Sequence, residues 1–352
     1  MNETLYSQAI KRNNLSRPPV WFMRQAGRYH SHYQNLKKQH SFIELCKVPE
    51  LACEVTLGPI RDFDYDAAIL FSDLLFPLEI LGMGLQYAPG PKLDWHLKEV
   101  SDLKKLNPKG KSIPELIQEI SYQGHALSLI RKSLPKDKSL LGFVGGPLTL
   151  FYYAAEGSHQ GTLQNAKDGI DDGRFDGFLR LMIPFLIENM CLQAASGADA
   201  IAIMDTCAGE ISPWLYQNRV IPSLREVMVG FKRRYPHTPI VYYSKGTGPN
   251  HWEHLEGLPF ECLGVDWHTP MHEVLIHFGK RWAIQGNFDP HKMIIPLDSC
   301  KNEIKKFFEP ILKLPGDALK SWVCGLGHGV LQWTPEANVR EFLRYQKEVF
   351  SK

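Results

Sequence analysis

Two arginines four residues apart, Arg24 and Arg28, follow an apolar run beginning at Pro19 and enclose Gln25, Ala26 and Gly27. Each guanidinium offers a planar fork of donors suited to carboxylates. Gly27 would allow an unusual backbone angle or the close approach of a ligand. On spacing alone, two surface arginines in ordinary salt bridges are the commoner arrangement. A second signal is Asp73, an acid within the apolar stretch Ala67 to Leu75. A carboxylate in apolar surroundings is costly unless it is paired or receives hydrogen bonds. It reads equally well as a cap or a buried partner for an arginine, or as a functional anion.

Two glycine-rich turns carry the remaining candidates. Gly142-Phe143-Val144-Gly145-Gly146-Pro147 leads to Tyr153, about one and a half turns into a helix if Pro147 opens one. Core packing is the commoner fate of such a tyrosine. No Lys-Ser or Lys-Thr follows these glycines, which disfavours a Walker-type phosphate loop. His328 stands in Gly325-Leu326-Gly327-His328-Gly329, where glycines leave its ring open to a ligand. Cys324, His328 and Cys207 are a weak zinc set, with no HExxH and no Cys-x-x-Cys, so no metal site is expected.

These residues need elements to hold them. Short apolar runs ending in small or polar residues recur eight times: Val20 to Gln25, Ala67 to Asp73, Leu140 to Gly146, Ala200 to Thr206, Pro239 to Gly246, Leu263 to Trp267, Arg281 to Gly286 and Ser321 to Gly327. Such runs suit strands buried on both faces. Helical spacing separates most of them, as in Phe178 to Gly197, Ser223 to Arg234 and Pro335 to Ser351. Alternation of this kind predicts an α/β fold with a parallel sheet, and eight repeats predict a single (β/α)8 TIM-type barrel with extra helices over Gly90 to Lys138. Chemistry in such barrels sits where strands end. The polar exits here are Arg24, Asp73, the Gly145-Gly146-Pro147 turn, Asp205-Thr206, Lys245, Asp266, Asn287 and His328.

The bulk composition narrows the function. Across 352 residues, 40 Lys and Arg balance 38 Asp and Glu, a net of +2. That argues against a dedicated nucleic-acid binder and leaves room for local anion recognition. Seven cysteines without a regular framework suggest reduced thiols in a cytoplasm. No N-terminal signal and no apolar run of membrane-spanning length is expected.

Together the motifs resemble the uroporphyrinogen decarboxylase family. PVWFMRQAGRY (19 to 29) is similar to its first signature and GFVGGPLTLFYYAAEG (142 to 157) to its second. AAILFSDLL, IMDT, QGNFDP and GLGHG resemble further blocks in the same order, so the likeness runs from Pro19 to Val339. The resemblance implies one distorted barrel domain over 1–352, usually a homodimer, with no cofactor. It implies conversion of uroporphyrinogen III to coproporphyrinogen III in haem biosynthesis. By motif position it implies substrate contacts at Arg24, Gln25, Ala26, Gly27, Arg28, Asp73, Tyr153, Thr206 and His328. The chain departs from the family at His30-Ser31-His32, where Leu-Pro-Glu is common, and at Lys37, Leu148 and Gly325. The competing readings are a zinc-dependent, corrinoid-linked methyltransferase of the same superfamily and a non-catalytic tetrapyrrole binder.

Overall fold

The computed structural model describes residues 3–13, 15–87, 90–158 and 161–351. In chain order its strands are β1 (Ala67–Ile69), β2 (Gln86–Tyr87), β3 (Pro91–Lys92), β4 (Ser139–Gly145), β5 (Ala200–Asp205), β6 (Ile240–Ser244), β7 (Cys262–Gly264), β8 (Ala283–Phe288) and β9 (Trp322–Leu326). The helices that matter below are α1 (Pro49–Phe63), α2 (Pro147–Glu156), α3 (Arg174–Ala195), α4 (Ile221–Arg234) and α5 (Glu336–Phe350). The chain resolves into two compact units. One comprises Met1–Phe71, Ala126–Leu141 and Phe260–Lys352; the other comprises Ser72–His125 and Gly142–Pro259.

In the first unit β7, β8 and β9 pair in parallel, and β1 pairs in parallel with the opening residues of β4. The segment Pro19 to Trp21 joins these two groups: Cys324 N donates to Pro19 O and Trp21 N to Cys324 O. Val20 forms a parallel bridge with Cys324 of β9, and its carbonyl accepts from Asp66 N just ahead of β1. Asp66 is buried and carries this junction. Its carboxylate takes a two-pronged ion pair from Arg17 at 2.6 and 2.7 Å and the Val20 amide at 2.7 Å. Removing the acid strands a half-buried guanidinium and an amide, a loss of about 3–5 kcal/mol for a buried pair of this kind. Asp66→Ala should therefore lower stability by that order in urea unfolding. A shift below about 1 kcal/mol would show the junction is held elsewhere.

The second unit holds the end of β4 with β5 and β6, whose register runs Ile201↔Ile240 to Asp205↔Ser244. Gln193 of α3 reaches β4 and both accepts from Phe143 N (2.7 Å) and donates to Phe143 O (2.9 Å). Gly142 leaves the room for that amide, since a Cβ there would collide with it.

Seven strands in parallel pairing are thus described, in an α/β fold. The expected strand Val20 to Gln25 shrinks to its first residue, because the chain turns at Phe22. The expected run Ala67 to Asp73 is a strand only to Ile69, so Asp73 lies in the loop beyond it. The Gly90 to Lys138 stretch is mainly helical as expected, but begins with β3, which pairs antiparallel with β2 ahead of the stretch, a pairing that alternation did not reveal. One helix, α3, is long and apolar enough by length and composition to cross a membrane, although Arg174, Asp176, Arg180 and Glu188 interrupt it. Half of that stretch is buried within the protein, through Phe178, Met182, Phe185 and Leu186 among others, as in the core helix of a soluble protein.

Candidate active site

Two tight turns in succession project the paired arginines. In the first, Gln25 N donates to Phe22 O, and Arg24 sits at the third position with φ 61°. That left-handed conformation normally calls for glycine and costs a larger residue about 1–2 kcal/mol. In the second turn His30 N donates to Gly27 O, which places Arg28 at its second position. Phe22 anchors the pair of turns, its ring 5.1 Å from Phe342 of α5 and 5.3 Å from Tyr65. Both arginines are exposed, and among the described residues no carboxylate pairs with either guanidinium. The ordinary salt-bridge explanation is therefore set aside. Two unneutralised forks on neighbouring turns, one of them on a strained backbone, are chemically suited to an anion.

The residues between them divide by role. Gln25 is 1 % exposed, and its side chain serves the turn: Nε2 donates to Ala67 O at 2.9 Å and Oε1 accepts from Phe22 N. A side chain so enclosed does not face solvent, so a substrate contact here falls to backbone. Tyr29 donates its hydroxyl proton to Gln25 O at 2.8 Å. Gly27 does not supply the unusual backbone angle; Arg24 does. A Cβ on Gly27 would stand 2.9 Å from Arg24 O, so glycine is needed for close approach within the turn. Ala26 is partly exposed.

The Gly325–Gly329 turn packs against this segment, and every glycine has a steric reason. A Cβ at Gly325 would strike Trp21 O, one at Gly327 would stand 2.5 Å from Trp267 N, and one at Gly329 would strike the Arg24 side chain. Arg24 is thus laid over Gly329, one residue from His328. The His328 ring is partly exposed and lies 6.5 Å from the Trp267 ring. His268 and His291 also contact that indole, at 4.9 and 5.5 Å. Each is oriented by an acid two residues earlier: Asp266 Oδ1 accepts from His268 Nδ1, and Asp289 Oδ1 from His291 Nδ1, both at 2.9 Å. Apolar patterning marks Asp266 only as an exit residue. The repeated Asp-x-His spacing after β7 and within the loop after β8 was the missed signal.

In the second unit, Asp73 is partly exposed and accepts Leu75 N through Oδ1 at 2.8 Å. Tyr153 is partly exposed, whereas Phe151, Tyr152, Ala154 and Ala155 around it are buried, so it is not a core tyrosine. Thr206 is also partly exposed, between buried Asp205 and Cys207. Gly146 has an ordinary φ of −63°; it is small because a Cβ would come within 2.7 Å of Asp205 Cγ. Asp205 was read only as an exit residue and proves to be the deepest acid of this unit. Burial pushes its pKa up to about 6, against hydrogen bonds from Thr149 and Tyr242 that lower it. Cys207, beside it, is pushed up to about 12 by burial and by the Asp205 charge.

The raised Asp205 pKa has a stability consequence of definite sign. The folded chain holds this proton more tightly than the unfolded chain, so the contribution is complete below about pH 4 and is lost as pH rises through about 6. Two pKa units correspond to about 3 kcal/mol. The groups facing the carboxyl are Thr149, Tyr242, Tyr216, Tyr152 and Cys207. Asp205→Asn cannot titrate, so the variant should gain on wild type by up to about that amount between about pH 4 and 7 in urea unfolding. A gap independent of pH would contradict the assignment.

The departures at 30–32 are structural. Buried His30 pairs through Nε2 with Asp62 at 2.7 Å, and His32 with Glu54 at 3.2 Å, so both histidines pin the turn to α1. Leu148 is fully buried and is a packing change. Lys37 is exposed with no described carboxylate partner.

The whole pattern has known counterparts. The family model for uroporphyrinogen decarboxylase (URO-D) matches residues 1–349. The chain belongs to the uroporphyrinogen decarboxylase family. Relatives named uroporphyrinogen decarboxylase include those of Geobacter sulfurreducens, 34 % identical over 327 residues and 92 % of each chain, and of Legionella pneumophila, 32 % identical over 365 residues, 99 % of this chain and 97 % of that one. Among solved structures, a methyltransferase from Methanosarcina mazei superposes with TM-score 0.77 at 19 % identity, covering 99 % of both chains. A B12-independent methionine synthase from Listeria monocytogenes gives 0.54 at 11 % identity over 95 % of both. At those identities the likeness is one of fold. Of the zinc candidates, the Cys324 and Cys207 thiols are both buried, whereas the His328 ring is partly exposed. Among the described residues no three His, Cys, Asp or Glu side chains converge on a metal position.

Proposed function

We propose that this chain is a carboxy-lyase that removes the four acetate carboxylates of uroporphyrinogen III to give coproporphyrinogen III, without a cofactor. The observation that carries the reading is the pair of exposed, unneutralised guanidiniums, Arg24 and Arg28, on successive tight turns within the family's first signature, the first of them strained at Arg24. A substrate with eight carboxylates and four pyrrole N–H groups explains the residue types. Arg24 and Arg28 grip carboxylate arms with paired donors. The Asp73 carboxylate accepts from the pyrrole N–H groups. Tyr153, Thr206 and His328 add directional hydrogen bonds, and Gln25, Ala26 and Gly27 contribute through the turn they build.

Each cycle exchanges one carboxylate for one proton. Protonation of the neighbouring pyrrole carbon makes a cationic ring that accepts the electron pair released with CO₂. A second protonation, at the exocyclic carbon, and loss of the ring proton restore the pyrrole, so the net uptake is one proton. Asp73 stabilises the cationic ring, and preorganised charge of this kind is often the largest catalytic term. An arginine does not readily give up its proton, which leaves His328 and Tyr153 as the acids of suitable chemistry. The proposal includes a closed eight-stranded barrel as one domain, acting as a cytoplasmic homodimer. Anaerobic incubation with uroporphyrinogen III, followed by oxidation and chromatography, should yield seven-, six-, five- and four-carboxylate products. Tight binding with no loss of carboxylate would instead mark a non-catalytic tetrapyrrole binder.

A further inference from the structure

Asp205 is the one acid in the second unit's strand ends that is wholly enclosed. It is 0 % exposed, and no lysine or arginine pairs with it among the described residues. Three donors meet it. Thr149 gives both its hydroxyl, at 2.6 Å, and its backbone N–H, at 3.2 Å, to Oδ1; Tyr242 gives its hydroxyl to Oδ2 at 3.1 Å. Behind Tyr242 the Tyr216 hydroxyl lies 2.7 Å away. The Thr149 oxygen is used twice, because it also accepts Cys207 N at 3.1 Å.

The connections form a closed loop. Asp205 ends β5, Thr149 lies in the first turn of α2, and Cys207 returns the link to the residue two beyond Asp205. Thr206 is caught inside that loop, with both neighbours tied to one threonine. Tyr153 stands four residues after Thr149 on the same face of α2, one helical turn away. Glycine at 146 lets the carboxyl lie against the backbone where α2 begins.

We infer that Asp205 and Thr149 form a positioning latch that sets Thr206 and Tyr153 in register for the substrate. The inference rests on the decarboxylase reading for its ligand, not for its geometry. The latch works through acceptor geometry and not through charge. An asparagine at 205 keeps an oxygen for Thr149 and can donate to the Tyr242 hydroxyl, which then donates to Tyr216. A valine at 149 keeps the volume but removes the shared oxygen.

The test compares Thr149→Val, Thr149→Ser, Asp205→Asn and Asp205→Ala with wild type, all in the full chain. Two readouts are taken: steady-state decarboxylation of uroporphyrinogen, and amide hydrogen exchange at Cys207 and across Thr149 to Tyr153. Thr149→Val should lose about tenfold or more in kcat/KM, Thr149→Ser should restore it, and Asp205→Asn should stay within about threefold of wild type. Exchange should quicken in Thr149→Val at Cys207 and also at Tyr153. If Thr149→Val matches wild type in both readouts, the latch is refuted. If Asp205→Asn is as inactive as Asp205→Ala while still folded, the acid acts through charge and the latch is likewise refuted. Should wild type itself release no CO₂, the decarboxylase reading falls, and exchange at Tyr153 still decides the latch.

Discussion

Asp73→Asn should abolish most turnover, by about 10²–10³-fold in kcat, while leaving the protein folded. The asymmetry comes from what the side chain does locally. One of its structural contacts is the Leu75 N–H, accepted through Oδ1, and an asparagine oxygen can accept it equally well. The residue is partly exposed, so the isosteric change creates no cavity. What is lost is the negative charge that the proposed mechanism sets against a cationic ring. Anaerobic turnover and a thermal melt on the same preparation check the result. Wild-type turnover in this variant would remove the anion from the mechanism, and a collapsed melting curve would reassign it to the fold.

Arg28→Lys should weaken substrate binding by about 10–100-fold with a stability change within about 0.5 kcal/mol. The guanidinium is exposed and pairs with no described carboxylate, so the folded state does not depend on its fork. Lysine keeps the charge and loses the second parallel donor, which is the part a carboxylate reads. KM from initial rates and the urea midpoint separate the two effects. Parallel losses in both would mean that Arg28 is a structural ion-pair residue whose partner comes from elsewhere in the fold.

Much of this arrangement was legible in the residue order. The exits at Asp205, Lys245 and His328 fall at or within two residues of the strand ends, because uninterrupted apolar runs end where the chain leaves the core. Pro147 does open α2, as a residue without an N–H suits a first turn. What periodicity did not carry was conformation at single positions. Nothing in an apolar run ending in Met-Arg-Gln announces that the arginine adopts φ 61°. Nor does spacing separate Gly27 or Gly146, which make room, from a glycine that bends. Asp205 and Asp73 look alike as acids ending apolar stretches, yet one is enclosed by three donors and the other is partly open. That difference is set by Thr149 and Tyr242, which lie 56 and 37 residues away in sequence, so no local pattern contains it.

The contact of Arg24 with Gly329 has a genetic implication. A methyl group at 329 would land on the middle of a flexible side chain and not on backbone, so the chain can accommodate it by swinging the guanidinium aside. An allele of that kind would accumulate to normal abundance and melt at a normal temperature. Screens that score expression or solubility would record it as benign, and with Arg24 holding substrate as proposed, a metabolite assay would reveal the lesion.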